Sequence, residues 1–331
     1  MANLRAGLAG LGMMGGKNHA RVLRGLDGVD FVGAADPGGD HHNALLTEPL
    51  FKNLDQLIDA GLDMCVVALP TELHLEAGLQ LAASGIHTML EKPLAMNTDE
   101  CDQLVDAFTA AGLVGCVGHI ERFNPALQAL RTRLESGDLG QIFQIATRRQ
   151  GPFPARIRDV GVIKDLATHD IDLTAWIADS PYELISAQVA HKTGREHEDL
   201  VAATGVLRNG AIANHLVNWL SPLKERVTVV TGERGCFVAD TLTADLTFCA
   251  NGDVATVWDA ISAFRGVTEG DVTRYAIPKP EPLLIEHQAF RDGVLGVSQD
   301  YVPIRDGRMS VQVADACLVS AATGATQALR T

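Results

Sequence analysis

In GVIKDLATHDIDL, residues 161–173, Asp165, His169 and Asp172 stand at i, i+4 and i+7, so a helix through them presents all three on one face. Such a face can be an acid–base pair, a metal site, or a polar stripe on a surface helix. The metal reading is the weakest: one histidine and two carboxylates are strung along a single helix, and no HExxH-like second histidine follows. No metal is expected. Lys92 is the second group with chemical promise, because Pro93 follows it. An X-Pro bond can be cis and fix the preceding side chain in an unusual direction, and a lysine in a cleft can serve proton chemistry. Its plain alternative is a surface lysine at a strand end.

These groups need a frame, and the first 120 residues supply one. LRAGLA (4–9) reads as a short buried strand, and GLGMMG follows at once, ahead of the helix-like HARVLRGL. Gly10, Gly12 and Gly15, with Met13 and Met14 among them, fall in G-x-G-x-x-G spacing. The three glycines suit a tight turn, close approach of backbone to a pyrophosphate, and close helix–strand packing, while the helix N-terminus offers N–H groups to phosphate. A second strand, VDFVGAAD, ends in Asp36. A carboxylate there accepts hydrogen bonds from a ribose 2′-hydroxyl and repels a 2′-phosphate, so NAD is expected over NADP. The alternative is that Asp36 simply opens a turn.

Further strand-like runs are DMCVVALP (63–70), HTMLEKP (87–93) and LVGCVGH (113–119), separated by helix-like stretches. Alternation of this kind implies a parallel sheet covered on both faces, with ligands at the carboxyl ends of its strands. Pro70, Thr71, His74, Glu91, Lys92 and His119 gather there. Singly, each can be a solvated strand-end group.

After IERFNP the texture changes. Asn124 suits an N-cap and Pro125 the first helical position. A boundary near residue 121 gives a dinucleotide-binding domain over 1–121 and a second domain over 122–331. IFQIATRRQ, LISAQVAHKT, LVAATGVLRNGAIANHLVNWL and RVTVVTGERGCFVAD are β-rich, and the Asn-Gly pairs at 209–210 and 251–252 read as hairpin turns. The fold class is α/β: a Rossmann domain with a parallel sheet, then an α+β domain with an open, mainly antiparallel sheet. Helices, including 162–178, cover one sheet face, and the other suits a subunit interface. RRQGPFPARIR (148–158) reads as a loop with four arginines. Arg149, Arg156 and Arg158, with Arg122, are candidates for bidentate contact with phosphate oxygens of a nucleotide sugar, or they point to solvent from a strand end.

Bulk properties exclude other classes. A net charge of −14 argues against nucleic acid as a partner. No apolar run reaches membrane-spanning length. Six scattered cysteines without a CxxC pair fit free thiols in a reducing cytoplasm.

GLAGLGMMG, ALPTELHLE, EKP, HIERFNP and then D-x-x-x-H at 165–169, in that order, resemble the glucose–fructose oxidoreductase / inositol dehydrogenase (Gfo/Idh/MocA) family. The resemblance implies the two-domain fold above, homodimers or homotetramers, and hydride transfer between NAD(P) and a carbon of a sugar or cyclitol. It implies that Lys92 is the active-site lysine, His169 the acid/base and Asp165 a substrate-holding carboxylate. Many members carry Gly-Gly before the Asp, where this chain has Val160, Gly161 and Val162. GHIERFNP with RRQGPFPARIRDVGVIKDLATHDIDL is most similar to the UDP-N-acetylglucosamine 3-dehydrogenase subgroup. The expected reaction is therefore oxidation at C3 of a UDP-amino sugar. The alternatives are inositol or simple-sugar oxidation, a glycosidase that uses NAD without net redox, and a non-catalytic sensor. The last predicts a missing lysine or histidine, and both are present.

Overall fold

The computed structural model describes residues 2–154, 160–252 and 268–329. Within these the chain divides into two compact units, 1–123 with 280–315, and 124–279 with 316–331.

In the first unit, β1 (Leu4–Ala9), β2 (Val29–Ala35), β3 (Leu50–Phe51), β4 (Met64–Val67), β5 (His87–Glu91) and β6 (Gly115–Gly118) form a parallel sheet in the order β3-β2-β1-β4-β5-β6. The order reverses between β1 and β4, the switch point where doubly wound sheets bind ligands. Apolar strands arise because both faces are covered. Cys65, Val67 and Leu90 pack with Leu81, Leu104 and Phe108, whereas their neighbours Met64, Val66 and Met89 pack with Leu8, Leu23 and Phe290. Asn53 and Asn97 cap the helices Leu54–Asp59 and Thr98–Ala111, their side chains accepting from the N–H groups of Gln56 and Glu100.

A second domain over all of 122–331 is not what forms: 280–315 packs in the first unit. Phe290, on the helix Pro282–Val294, is fully buried there. Order along the chain does not reveal that the helix returns, since any apolar helix face satisfies either core.

In the second unit, β7 (Ile142–Pro152), β8 (Tyr182–Ala190), β9 (Leu200–Leu207), β10 (Ile212–Asn218), β11 (Leu220–Gly232), β12 (Gly235–Asp240), β13 (Asp245–Gly252), β14 (Thr268–Arg274) and β15 (Gln327–Ala328) form one sheet. The order is β14-β13-β12-β11-β7-β10-β9-β8-β15, antiparallel throughout except for β7 with β10. Ile145, Thr147 and Arg149 of β7 are buried, and Arg148 between them is exposed. That alternation is the strand period of two. The helix Pro125–Glu135 begins as its sequence dictates, with Asn124 accepting from Ala126 N–H and Pro125 at the first position. Gly210, in the left-handed region at φ 87°, closes the β9–β10 hairpin.

Two local expectations change. Arg148 and Arg149 belong to β7, which continues to Pro152, rather than to a loop. Asn251 and Gly252 end β13 and pair with Glu269 and Thr268, so they are no two-residue hairpin turn. Arg156 and Arg158 lie outside the described residues.

Candidate functional site

At the end of β1 the chain turns through Gly10, whose φ of 97° places it in the left-handed region. A Cβ on Gly15 would lie 1.9 Å from the Gly10 carbonyl oxygen, so only glycine lets the loop close on itself. At Gly12 a Cβ would meet nothing within 4 Å. That position faces open space, as a cradle for a ligand requires. Met13, at the loop tip, is exposed and Met14 half-buried. Asp36 follows β2 directly, and its Oδ2 accepts from Leu11 N–H at 2.7 Å while Oδ1 accepts from Gly38 N–H at 2.8 Å. The same carboxylate thus fixes the glycine loop. These residues fit a dinucleotide: bare backbone for a diphosphate, and a carboxylate where a ribose needs an acceptor.

The helix after the loop starts differently from expectation. Residues Gly15–His19 form a π-helical turn before the α-helical Ala20–Arg24. His19 is fully buried, with Nε2 2.9 Å from Glu91 Oε1 and Nδ1 2.9 Å from His287 Nε2. Glu91 Oε2 accepts from Lys92 N–H at 3.1 Å. Burial alone would raise the Glu91 carboxyl, but the hydrogen bond from His19 and the charges of His19 and Lys92 bring it below its usual value. Beside it, burial and the Glu91 charge push the Glu286 carboxyl well above its usual value. His19, Glu286 and His287 were not among the sequence candidates. His19 stands four residues after Gly15 and was findable; the other two are some 270 residues away.

Lys92 is half-buried, and its bond to Pro93 is cis. His74 is buried, its Nδ1 3.1 Å from the Pro93 carbonyl and its Nε2 3.0 Å from that of Leu69, so it ties the end of β5 to the Pro70–Thr71 turn. Burial holds its imidazole below the ordinary range. His119 is buried with Nε2 3.2 Å from Ser310 Oγ. Arg122 is buried and donates to Asp306 Oδ2 at 2.9 Å, so its charge is engaged inside the first unit.

In the second unit, Ile163–Ala167 is a π-helical turn that passes into the α-helix Thr168–Ala178. The i, i+4, i+7 argument presumes 3.6 residues per turn, and the wider turn breaks that register. Asp165 is buried, His169 half-buried, and Asp172 buried on the α-helical part. Glu198 receives the start of this helix: its Oε1 accepts from Ile163 N–H at 3.0 Å, and a Cβ on Gly161 would lie 2.0 Å from that oxygen. The single glycine of Val160-Gly161-Val162 is therefore the one this contact requires. Arg149 donates from Nε to Asp170 Oδ2 at 2.9 Å, both buried, which anchors the His169 helix to β7. Arg149 and Asp165 also line a cavity of about 370 Å³ with Phe153, Trp219, Lys224 and Arg226. Among the described residues no group of three or more His, Cys, Asp or Glu could hold a metal, and no helix is long and apolar enough to cross a membrane.

A doubly wound sheet with a glycine loop at its switch point and an acid after the second strand, in one chain with a large mainly antiparallel sheet, marks a dinucleotide-binding protein. Residues 4–119 match the oxidoreductase family with an NAD-binding Rossmann fold, and residues 127–238 match the GFO/IDH/MocA C-terminal domain. The chain belongs to the Gfo/Idh/MocA oxidoreductase family. It is 30% identical to the UDP-N-acetylglucosamine 3-dehydrogenase of Acidithiobacillus ferrooxidans over 65% of this chain, spanning 66% of that relative's length. It is 26% identical to inositol 2-dehydrogenase 2 of Saccharopolyspora erythraea, over 98% of this chain and 94% of the relative. The structure of UDP-N-acetylglucosamine 3-dehydrogenase GnnA from Acidithiobacillus ferrooxidans shares the fold, with a TM-score of 0.83 at 24% identity over 97% of this chain and 98% of that one. The WlbA dehydrogenase from Bordetella pertussis, solved with NADH and UDP-GlcNAcA, gives 0.79 at 24% identity over 99% of each chain.

Proposed function

We propose that this protein is an NAD-dependent dehydrogenase acting on a sugar hydroxyl, with C3 of a UDP-amino sugar as the reacting carbon. The observation that carries the cofactor half is Asp36, whose carboxylate stands at the glycine loop through Leu11 N–H. A 2′-phosphate placed there meets like charge, which favours NAD over NADP. The substrate half is supported by the likeness to the Acidithiobacillus ferrooxidans enzyme and by the cationic side chains lining the cavity beside Asp165. A bound nicotinamide supplies the carbon that accepts or returns hydride.

The side chains supply the rest. His169 takes the hydroxyl proton, as a general base on the oxidation side and a general acid on the reverse. Lys92 donates a hydrogen bond to the same oxygen and stabilises its developing negative charge. Asp165, one turn from His169, orients the substrate. Asp172, buried on its helix, serves structure. A homodimer or homotetramer, cytoplasmic and acting on small molecules alone, completes the reading; the sheet face that carries Arg148 and Leu216 is its interface.

The test is nicotinamide absorbance after mixing the protein with NAD and UDP-N-acetylglucosamine, with free inositol and glucose in parallel. NADH formed only with the nucleotide sugar is expected, and NADH from inositol alone moves the substrate. His169→Ala and Lys92→Ala should each reduce turnover by about 10²–10⁴-fold, the usual weight of a positioned proton-transfer group, with NAD still bound. Full turnover in both variants overturns the assigned roles.

A further inference from the structure

β11 does not run evenly along β7. Leu220 pairs with Pro152 and Glu225 with Gln150, so five steps on one strand answer two on the other. Residues 221–224 stand against Gly151 alone and leave the ladder as a bulge, held by Leu223 N–H donating to Ser221 Oγ at 3.1 Å. Bulges re-aim side chains, and this one brings Lys224 to the wall of the cavity that Asp165 also lines. Gly151 lies beneath it: a Cβ there would stand 3.7 Å from Lys224 Cα. Arg226, opposite Arg149 in the register, lines the same cavity.

The nearby charges are unequally committed. Arg149 is engaged by Asp170 at 2.9 Å, and Glu225 is engaged by Arg148 and Gln150, both at 2.5 Å. Lys224 makes no hydrogen bond or ion pair with the described residues, and it is exposed at the cavity mouth. Aromatic side chains line the cavity too. Phe153 and Trp219 meet edge to face with ring centres 5.4 Å apart, and the Arg195 guanidinium lies over both, 4.4 Å and 5.1 Å from their centres. Trp219 is 3% exposed, and its indole N–H has no acceptor among the described residues. Buried N–H groups in folded proteins almost always find one.

We propose that this cavity is an anion subsite in which Lys224 and Arg226 bind the clustered anionic oxygens of the substrate's non-reacting part, a diphosphate in first place. Two cations that line one cavity suit a group with several acceptor oxygens, and in a chain of net charge −14 such a site must be built locally. The proposal rests on the dehydrogenase reading above and adds the substrate's recognition element. A sugar carboxylate presents the same chemistry on a smaller scale, and the experiment separates the two sources.

Calorimetric titration of the full chain with UDP, and separately with glucuronate, in the absence of NAD, reads this subsite without any turnover. We expect UDP to bind, and Lys224→Met and Arg226→Met each to weaken it at least tenfold, with NAD affinity unchanged. Glucuronate binding in place of UDP, weakened by the same variants, keeps the anion subsite and assigns it to a carboxylate. UDP binding that neither variant alters overturns the subsite, as does the absence of binding by either anion. Turnover of UDP-N-acetylglucosamine distinguishes this from a failure of the function itself: NADH formation with an unchanged KM in both variants sinks the subsite alone.

Discussion

Each unit buries a polar cluster, and the two are built to different standards. In the second unit His215 is fully satisfied, with Nδ1 2.7 Å from Thr147 Oγ and Nε2 2.7 Å from Tyr182 Oη, which links β7, β10 and β8 through one ring. The buried Arg149–Asp170 pair lies next to it on β7. In the first unit His19, Glu91 and His287 form a chain of two contacts, yet His287 Nδ1 and both Glu286 oxygens have no partner among the described residues. A satisfied cluster adds rigidity at little cost, whereas a buried polar group left without a partner costs about 1–3 kcal/mol. The incomplete one adjoins the glycine loop and the strand end that carries Lys92. Stability is compromised beside the glycine loop and Lys92, whereas His215 ties β7, β8 and β10 together.

Breaking the locked cluster should have the larger effect. Asp170→Asn removes the charge that compensates the buried Arg149 guanidinium, and loss of one partner of a buried pair costs about 3–5 kcal/mol. Denaturant unfolding of the variant measures this. The double variant Arg149→Met/Asp170→Leu should recover most of the loss, because the uncompensated charge is gone. A single variant as stable as the parent would mean that the locked cluster is not locked.

What the sequence revealed follows the range of the interactions. The glycine loop, Asp36, the Asn124–Pro125 helix start and the strands of the parallel sheet depend on neighbours within a turn or two, and they read directly. The π-helical turns at Gly15–His19 and Ile163–Ala167 do not, because periodicity reasoning assumes the ordinary helix that they depart from. Arg122 looked free to bind an anion, but its partner, Asp306, comes 184 residues later. Arg149 looked like a loop residue because Gly151 and Pro152 follow; they end a strand instead. Lys224 carries no local signal, since only the pairing of β11 with β7 exposes the bulge that places it.

The second contrast is in pH. Burial lowers the His215 imidazole to about 4, so its protonation favours the unfolded chain. The stability it holds is present above its ordinary value of about 6.5 and is lost as pH falls toward 4. At about 1.4 kcal/mol per pH unit the loss amounts to about 3 kcal/mol. His215→Gln, which does not titrate, should remove that part of the acid sensitivity in unfolding curves taken from pH 7 to 4. An unchanged pH dependence would contradict a neutral, fully buried imidazole.

Glu286 acts in the opposite sense. Burial and the nearby Glu91 charge hold its carboxyl well above the usual value, so the folded chain keeps a proton that the unfolded chain releases. Its stability is present below about 4.5 and is lost as pH rises from there toward the raised folded value, at up to about 1.4 kcal/mol per pH unit. From about pH 4.5 to 6.5 the two clusters therefore offset each other, and the parent protein should show little net slope from them. Glu286→Gln should gain stability relative to the parent by about 1.4 kcal/mol for each pH unit above 4.5 until the folded-state carboxyl itself ionises, and thereby expose the acid loss due to His215. Unfolding free energies at pH 5, 6 and 7 decide it. A constant difference between variant and parent would show that Glu286 ionises in the folded chain as it does in water, which its burial without a partner among the described residues does not allow.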